Sequence, residues 1–287
     1  MTDVRLVEDL SAYHTAIPDV RRLFEEVFER PFPSDVWEQW YFRNPYGDPL
    51  VVMGYANCRV VAHQAFIPQM LVAGQGTPVP YVLSISSMVD KRSRNWTLFN
   101  DMMHLLQKAA SRRGYPLTLV LPNSRAGDLY RVLYGYRTLV ETPLCTWCPS
   151  STKRPRETPA RLNELALTDA LSYPTDSTYW HWRTSVNGAQ RVNFTDSSMI
   201  IVKVSDSVLT VLDVLTNSHL DGSDRLWAIA QSLGAAAVRL TAVHASVLGL
   251  AEKDLIPHEG YTARLMCRQQ SGEIPKIRFS LLLSDAF

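Results

Sequence analysis

The chain has 287 residues, of which 46% are apolar and 20% are charged, and its formal net charge is +1. Such a balance excludes the strongly basic surface of nucleic-acid-binding proteins, and the length favours two modest domains over one. The N-terminus is polar, and no apolar run reaches membrane-spanning length. We therefore predict a cytoplasmic protein that acts on small molecules and has neither nucleic acid nor membrane as a partner.

Four cysteines are too few and too scattered for a disulfide framework. Cys145 and Cys148 form a CxxC pair, but a structural zinc site needs four ligands, and the chain offers no second CxxC or HxxxH pair. The segment around the pair is predicted to be a strand, in which residues three apart point to opposite faces. We predict no metal.

Hydrophobic periodicity gives the first half a regular order of helices and strands. The predicted elements are a strand over 4–7, helices over 18–29 and from about 34, strands over 50–56, 59–67 and 79–89, a helix over 95–113, a strand over 117–121, a helix over 125–133, and further strands to 148.

The segment after residue 149 is polar and broken by prolines, which is typical of a linker. A similar order of elements follows it. The predictions are a helix containing 179–183, strands over 191–194, 199–204 and 208–214, a helix over 223–233, a strand over 236–241, a helix over 246–253, and strands over 263–268 and 277–283. We predict two domains, 1–149 and 169–287, joined by a linker over 150–168.

Landmarks in the two halves indicate a duplication. Each half opens with a Trp-rich helix, and the distance from Val89 to the Gly135-Tyr136 pair nearly equals that from Asp213 to the Gly260-Tyr261 pair. The predicted fold class is therefore α/β with tandem domains, each a mixed, mostly antiparallel sheet flanked by helices.

The predicted strand over 79–89 ends at Val89, where a polar loop leads into a helix. Free backbone N–H groups and the helix dipole make such a helix start a good anion site. The loop contains Arg94, Asn95, Trp96 and Thr97, and it is the candidate phosphate-binding segment.

Several ordered motifs in the first half resemble those of the GNAT superfamily of N-acetyltransferases, and most of all its branch that acylates nucleotide-linked amino sugars. The motifs are Trp37-Glu38-Gln39-Trp40-Tyr41-Phe42-Arg43-Asn44-Pro45-Tyr46-Gly47, Asn57-Cys58-Arg59-Val60-Val61-Ala62-His63-Gln64-Ala65, Leu121-Pro122-Asn123-Ser124 and Tyr134-Gly135-Tyr136-Arg137. The resemblance implies an acetyl-CoA or other acyl-CoA co-substrate. By the same resemblance, the residues that would hold this co-substrate are Met88, Val89, Arg94, Asn95, Trp96, Thr97 and Asn123.

The phosphate loop departs from the superfamily pattern. Arg94 is kept, but Thr97 and Phe99 replace the two glycines that let the backbone approach phosphate. The second half resembles the superfamily only in a degenerate form, since the aligned segment 214–219 has neither the basic residue nor the glycines. We therefore expect one site per chain, in the first half, with the second half contributing a wall to the acceptor site.

The same resemblance implies catalytic roles. Tyr130 would be the acid for the leaving thiolate, with Tyr134 as the competing choice, and a backbone N–H near Val89 would polarise the thioester carbonyl. His63 would be the base, because its pKa range suits the task; Glu38 and water are alternatives.

Aromatic residues around the first Trp-rich helix suit a sugar or nucleobase. We assign acceptor contacts to Glu38, Tyr41 and Tyr46, while helical spacing also fits Tyr41 with core packing. Trp96 would either cover the adenine or close the phosphate loop.

Three functions follow from these patterns. The first is an N-acyltransferase acting on an amino sugar, with the chain alone or as a homodimer. The second keeps the acyl-CoA but acts on the amine of a natural product, a peptide or an aminoglycoside. The third is a catalytically inactive GNAT-like scaffold, which the altered loop favours.

Overall fold

The computed structural model describes residues 2–7, 9–73, 76–147, 171, 173–174, 176–185, 188–195, 198–216, 220–270, 272–273 and 275–277. The predicted linker over 150–168 and nearly all of the predicted strand over 277–283 lie outside these residues.

Eleven strands and seven α-helices are described. The strands are β1 (Asp3–Val7), β2 (Leu50–Ala56), β3 (Arg59–Val72), β4 (Pro78–Val89), β5 (Leu117–Val120), β6 (Arg137–Trp147), β7 (Ala189–Thr195), β8 (Ser198–Ser205), β9 (Val208–Leu215), β10 (Ala237–Thr241) and β11 (Leu255–Gln269). The helices are α1 (Leu10–Phe28), α2 (Ser34–Trp37), α3 (Trp96–Arg112), α4 (Ser124–Tyr134), α5 (Ser177–Thr184), α6 (Ser223–Ser232) and α7 (Ala242–Val247). A π-helical turn, Glu38–Phe42, continues α2 directly, and residues 34–42 together are called the α2 segment below.

All eleven strands form one sheet in the order β1-β2-β3-β4-β5-β11-β6-β10-β9-β8-β7. Only two neighbouring pairs of this sheet are parallel, β4 with β5 and β9 with β10. Each half therefore has antiparallel strands, a helix and then one parallel strand. The predicted mixed, mostly antiparallel sheet flanked by helices is confirmed, as is its tandem character.

The two halves share strands at the centre of the sheet. Strand β11, from the second half, lies between β5 and β6 of the first half and is antiparallel to both. Strand β6 in turn pairs with β10 of the second half. The predicted domain boundaries stay a prediction, but the sheet itself continues across them.

The helices cover both faces of the sheet. On one face, α1, the α2 segment and α5 bury a core that joins both halves and includes Leu23, Ile67 and Trp180. On the other face, α3 and α4 pack against the first half, and α6 and α7 pack against the second. The aromatic α2 segment is thereby held between the halves.

Some predicted boundaries were wrong. Helix α1 begins at Leu10, not near residue 18, because the Asp9 carboxylate caps it by accepting from the Ala12 N–H. Helix α7 begins and ends earlier than the predicted span of 246–253, because Thr241 caps its start and Gly249, at φ 69°, follows its end. The predicted strand over 263–268 is the end of the longer β11.

Candidate active site

Strands β4 and β5 run side by side and then separate, which opens a cavity of about 570 Å³. They pair from Tyr81 opposite Leu117 to Ser84 opposite Val120. Beyond that point β4 continues along β3 to Val89, whereas the chain after β5 leaves the sheet and enters α4. A wedge-shaped gap is left between the two strand ends.

Three parts of the chain form the walls of this cavity. The α1 end and the α2 segment supply one wall, which includes Trp37, Trp40 and Tyr41. The ends of β4 and β5, together with α4, supply the second. The third is residues 261–264 of β11, so both halves of the chain line the cavity.

Strand β4 has a β-bulge where it meets the cavity. The register with β3 shifts between the pair His63–Met88 and the pair Ala65–Ile85. Within this irregular stretch Ser86 has a φ of 54°, in the left-handed region that is costly for a residue other than glycine. Bulges of this kind are common next to active sites, where they redirect the backbone.

A buried hydrogen-bonded chain supports the bulge. Trp37 Nε1 donates to Tyr13 Oη at 2.8 Å, and that oxygen lies 3.0 Å from His63 Nε2. The other ring nitrogen, His63 Nδ1, lies 3.0 Å from the Ser86 carbonyl oxygen. Since a carbonyl oxygen can only accept, Nδ1 carries the proton and Nε2 accepts from Tyr13. Each donor in this series of hydrogen bonds then faces an acceptor.

The imidazole of His63 is therefore held neutral. Burial lowers its pKa to about 4, against the smaller raising effect of its hydrogen bond to the Ser86 carbonyl. His63 is fully buried and is not among the residues that line the cavity. Its predicted role as a base stays a prediction, while its contacts place it behind the bulge as a support.

Helix α4 brings two of the predicted residues to the cavity, Asn123 and Tyr130. The Asn123 amide oxygen caps the helix by accepting from the Ala126 N–H at 2.9 Å. The Tyr130 hydroxyl is 3.2 Å from Ser84 Oγ. Tyr134, one turn later, does not line the cavity, and its burial raises its pKa. The structure thus separates the two tyrosines that the sequence left as alternatives.

The predicted phosphate loop lies at the start of α3, outside the cavity lining. Arg94 is exposed, and its Nε donates to the Val89 carbonyl oxygen at 3.1 Å. The Asn95 side-chain oxygen caps α3 by accepting from the Leu98 N–H at 2.8 Å. Met88 is buried in the sheet. At the start of α3, the Leu98 N–H is therefore already bonded to the Asn95 side chain and is not free to bind a phosphate.

Trp96 lies over the outer side of α4. Its side chain is 45% exposed, and its ring stacks on Tyr134 with 6.0 Å between ring centroids. Thr97 is exposed beside it. This packing connects the loop before α3 to α4.

Among the described residues that line the cavity, two carry a charged side chain, Arg30 and Arg264. Glu141 holds Arg264 through two bonds, Nη2 to Oε1 at 2.9 Å and Nε to Oε2 at 3.1 Å. The guanidinium also packs on Gly127, where an added Cβ would overlap its Nη1. The described lining contains no carboxylate and no histidine.

Of the predicted acceptor contacts, Tyr41 lines the cavity and two do not. Tyr41 stacks on Trp37 with 4.4 Å between ring centroids and 3° between ring planes. Glu38 is partly buried and pairs with Arg43 at 3.3 Å. Tyr46 packs against aromatic rings of α5, and burial raises its pKa to about 12.

Helix α5 of the second half fixes the α2 segment. Trp182 Nε1 donates to the Gln39 carbonyl oxygen at 2.8 Å, and Gln39 Nε2 donates back to the Trp182 carbonyl oxygen at 3.2 Å. The fully buried guanidinium of Arg183 lies over the Trp40 ring at 4.1 Å. One aromatic wall of the cavity is therefore positioned by the other half of the chain.

Three residues of the site were not predicted from the sequence: Gln64, Ser84 and Arg264. Gln64 and Ser84 are polar residues within otherwise buried apolar strands, and that pattern is a usable signal. Arg264 carries no such signal, because only the insertion of β11 brings it to the first half.

Within the described part of the chain, no three His, Cys, Asp or Glu side chains come together as metal ligands would. None of the described helices is both long and apolar enough to cross a bilayer.

Comparison with known proteins agrees with this geometry. Residues 11–138 match the family described as the acetyltransferase (GNAT) domain. No curated protein matches the chain significantly.

Solved structures of similar fold extend the likeness to nearly the whole chain. A GCN5-related N-acetyltransferase from Kribbella flavida has a TM-score of 0.60 at 18% identity, covering 93% of this chain and 71% of that one. One from Anabaena variabilis has a TM-score of 0.62 at 14% identity, with 93% and 73% covered. A putative acetyltransferase from Pyrococcus horikoshii has a TM-score of 0.59 at 11% identity, with 94% and 90% covered.

At these identities the structural likeness establishes the fold. The chain has the GNAT fold, and its first half matches the GNAT acetyltransferase domain. Together the family match and the fold support an acyl-CoA-dependent N-acyltransferase.

Proposed function

We propose that this chain transfers an acyl group from acetyl-CoA or a longer acyl-CoA to the amine of an amino sugar, and that this sugar is linked to a nucleotide. The observation that carries the proposal is the cavity between the separated ends of β4 and β5, with Tyr130 in its wall. A thioester placed there would lie between the bulge at Ser86 and the Tyr130 hydroxyl. In this arrangement the chain contributes mainly by positioning the two substrates.

The reaction needs a neutral amine, a polarised carbonyl and a proton for the leaving sulfur. As the amine nitrogen bonds to the acyl carbon, the carbon–sulfur bond breaks and the sulfur takes the Tyr130 proton. Four residues of β4 line the cavity, 84–87, and the backbone of the bulge at Ser86 and Ser87 would polarise the carbonyl.

The charges around the cavity support an amine that arrives neutral or loses its proton to water. A nearby carboxylate would stabilise the ammonium form, and the described lining has none. Arg30 acts in the opposite direction and lowers the pKa of a bound amine, whereas the charge of Arg264 is largely balanced by Glu141. His63 would then contribute by holding the bulge at Ser86.

The same arginines support an acceptor that also carries an anionic group. Arg30 and Arg264 would bind the phosphates of a nucleotide-linked sugar, and the guanidinium of Arg264 is oriented by Glu141. The Trp37–Tyr41 stack supplies aromatic surface for a sugar ring. A natural-product, peptide or aminoglycoside amine is the alternative acceptor, and a polycationic aminoglycoside would be repelled by the arginines.

One observation favours the alternative of an inactive binding scaffold. The Asn95 side chain already occupies a backbone donor at the start of α3, and the loop carries Thr97 in place of glycine. If this start cannot accept a pyrophosphate, the cavity would serve binding without turnover.

The test is a calorimetric titration with acetyl-CoA, followed by an assay of thiol release with nucleotide-linked amino sugars and matched free amino sugars. Arg94→Ala should weaken acetyl-CoA binding about tenfold or more, since it removes a cation from the phosphate loop. Arg92→Ala, an exposed neighbour in the same loop, is the control.

Micromolar binding with thiol release only in the presence of nucleotide-linked sugars supports the proposal in full. Binding and turnover with other amines would remove the nucleotide-linked acceptor and keep the acyltransferase. Absence of binding to acetyl-CoA and to longer acyl-CoAs would contradict the enzyme and leave the scaffold.

A further inference from the structure

A series of uncharged polar groups runs along the cavity wall from β3 to α4. Gln64 Nε2 donates to Ser84 Oγ at 2.9 Å, and Ser84 Oγ lies 3.2 Å from the Tyr130 hydroxyl. Ser87 Oγ donates to the Gln64 amide oxygen. Gln64 and Ser84 are 1% and 5% exposed, within strands whose other buried residues are mostly apolar. Polar side chains buried in this way are costly unless they bond to one another.

The partners of each group determine where the protons lie. The Gln64 amide oxygen faces Ser87, so its NH₂ faces Ser84 and also the Ile85 carbonyl oxygen at 3.4 Å. Ser84 Oγ therefore accepts from Gln64. Ser84 has one proton, and of its two bonded partners only the Tyr130 oxygen can accept it.

We infer that Gln64 and Ser84 are positioning residues that hold the Tyr130 hydroxyl as the acid for the leaving thiolate. The inference rests on the proposed function. As the carbon–sulfur bond breaks, the Tyr130 proton moves to sulfur and leaves a phenolate. Once Tyr130 has lost its proton, only the Ser84 hydroxyl can donate in the bond between them, and it then stabilises the negative charge on the phenolate oxygen. The phenolate then regains a proton from solvent, and the new amide nitrogen loses its extra proton to solvent.

Without this donor, a phenolate formed in a buried site would be desolvated and unfavourable. Gln64 contributes because it orients Ser84, and it does so while bonded to Ser87, which itself lines the cavity. These hydrogen bonds from Ser87 through Gln64 and Ser84 to Tyr130, called the relay below, therefore connect the β4 bulge to the proposed acid.

A double-mutant cycle on kcat tests the relay. Ser84→Ala should lower kcat on the order of tenfold, and Tyr130→Phe on the order of 100-fold. If Ser84 acts through Tyr130, Ser84→Ala should change kcat little in the Tyr130→Phe background. Ser84→Thr, which keeps the hydroxyl, should restore most of kcat, and the KM for acetyl-CoA should change little in each variant.

Gln64→Leu should lower kcat as Ser84→Ala does. The matched control is Gln69→Leu, because Gln69 is equally buried on the same strand and bonds to Tyr81 Oη at 2.7 Å, away from the cavity lining. Both Gln variants should lose stability, but only Gln64→Leu should lose turnover.

Suppose that the wild-type chain is active and that Ser84→Ala lowers kcat equally in the wild-type and the Tyr130→Phe backgrounds. This result would overturn the relay but leave the proposed function standing. An equal loss of kcat in Gln69→Leu would do the same. If the wild-type chain turns over no amine with any acyl-CoA, the proposed function fails and the relay fails with it.

Discussion

His63 Nδ1 donates to the carbonyl oxygen of Ser86 across 3.0 Å, and this bond connects a buried imidazole to the one bulged residue of β4 with a left-handed φ. The imidazole is neutral because burial lowers its pKa to about 4, from an ordinary value of 6.5. A protonated ring could not accept from Tyr13, so protonation would break the chain of hydrogen bonds that supports the bulge.

This linkage predicts how stability depends on pH. The unfolded chain takes up a proton on His63 below about pH 6.5, whereas the folded chain resists until about pH 4. The stabilisation is therefore complete above pH 6.5 and is lost as the pH falls towards 4. Between pH 7.5 and 5 the free energy of unfolding should fall by about 2 kcal/mol from this group. Urea unfolding of wild type and His63→Gln at both pH values measures it.

His104 provides the control for that experiment, because it lies exposed on α3. His104→Gln should keep the full pH dependence of the wild type, and His63→Gln should lose about 2 kcal/mol of it. Equal pH dependence in all three proteins would contradict a neutral, buried His63.

Tyr130 and Tyr134 differ in position, and activity should follow that difference. Tyr130 lines the cavity and contacts Ser84, whereas Tyr134 packs under Trp96. Tyr130→Phe should lower kcat on the order of 100-fold, and Tyr134→Phe less than about threefold. Steady-state kinetics with acetyl-CoA would give the opposite ranking if Tyr134 were the acid.

Gly127 leaves room for the guanidinium of Arg264. Gly127→Ala should stabilise helix α4 by up to about 1 kcal/mol, because alanine has the higher helix propensity. However, the added Cβ would displace the Arg264 guanidinium from Glu141. The KM for an anionic acceptor should then rise several-fold, with the KM for acetyl-CoA unchanged. Measuring both constants, with a neutral free amino sugar as a second acceptor, tests the role of the arginine. An unchanged KM for the anionic acceptor would remove Arg264 from the acceptor site.

The stack of Arg183 on Trp40 should depend on a planar guanidinium. Arg183→Lys is expected to lower the free energy of unfolding by about 2 kcal/mol, since lysine cannot stack in the same buried space. Arg191→Lys is the matched control, because Arg191 is exposed and 5.9 Å from the Trp180 ring. Its effect should stay within about 0.5 kcal/mol. Denaturant unfolding that ranks the two variants equally would contradict the stacking.

The insertion of β11 predicts that the first half does not fold alone. In a fragment of residues 1–149, β5 and β6 would both lack their shared neighbour and expose unpaired edges. Such a fragment should aggregate or unfold without cooperativity, as followed by circular dichroism in urea. Adding a fragment of residues 169–287 should restore a cooperative transition. A monomeric, cooperative 1–149 fragment would show that the strand exchange is dispensable.

Local patterns in the chain were enough to predict most of the first half. Strands β2 and β4 and helices α3 and α4 follow from periodicity and from asparagine caps, which act over three or four residues. The motif resemblance also named Tyr130 and Asn123; the first lies on α4, the second caps it, both line the cavity, and their roles stay predictions. These features depend on residues close together in the chain, so they are visible before any folding is considered.

The cavity depends on contacts between distant residues, and no local pattern contains them. β11 reaches its place between β5 and β6 across more than 100 residues of sequence, and it brings Arg264 with it. The neutral state of His63 and the relay from Gln64 to Tyr130 arise because burial and hydrogen-bond partners are set by packing of separate elements. The sequence could name a histidine and a tyrosine as candidates, but their protonation and orientation follow from the folded surroundings.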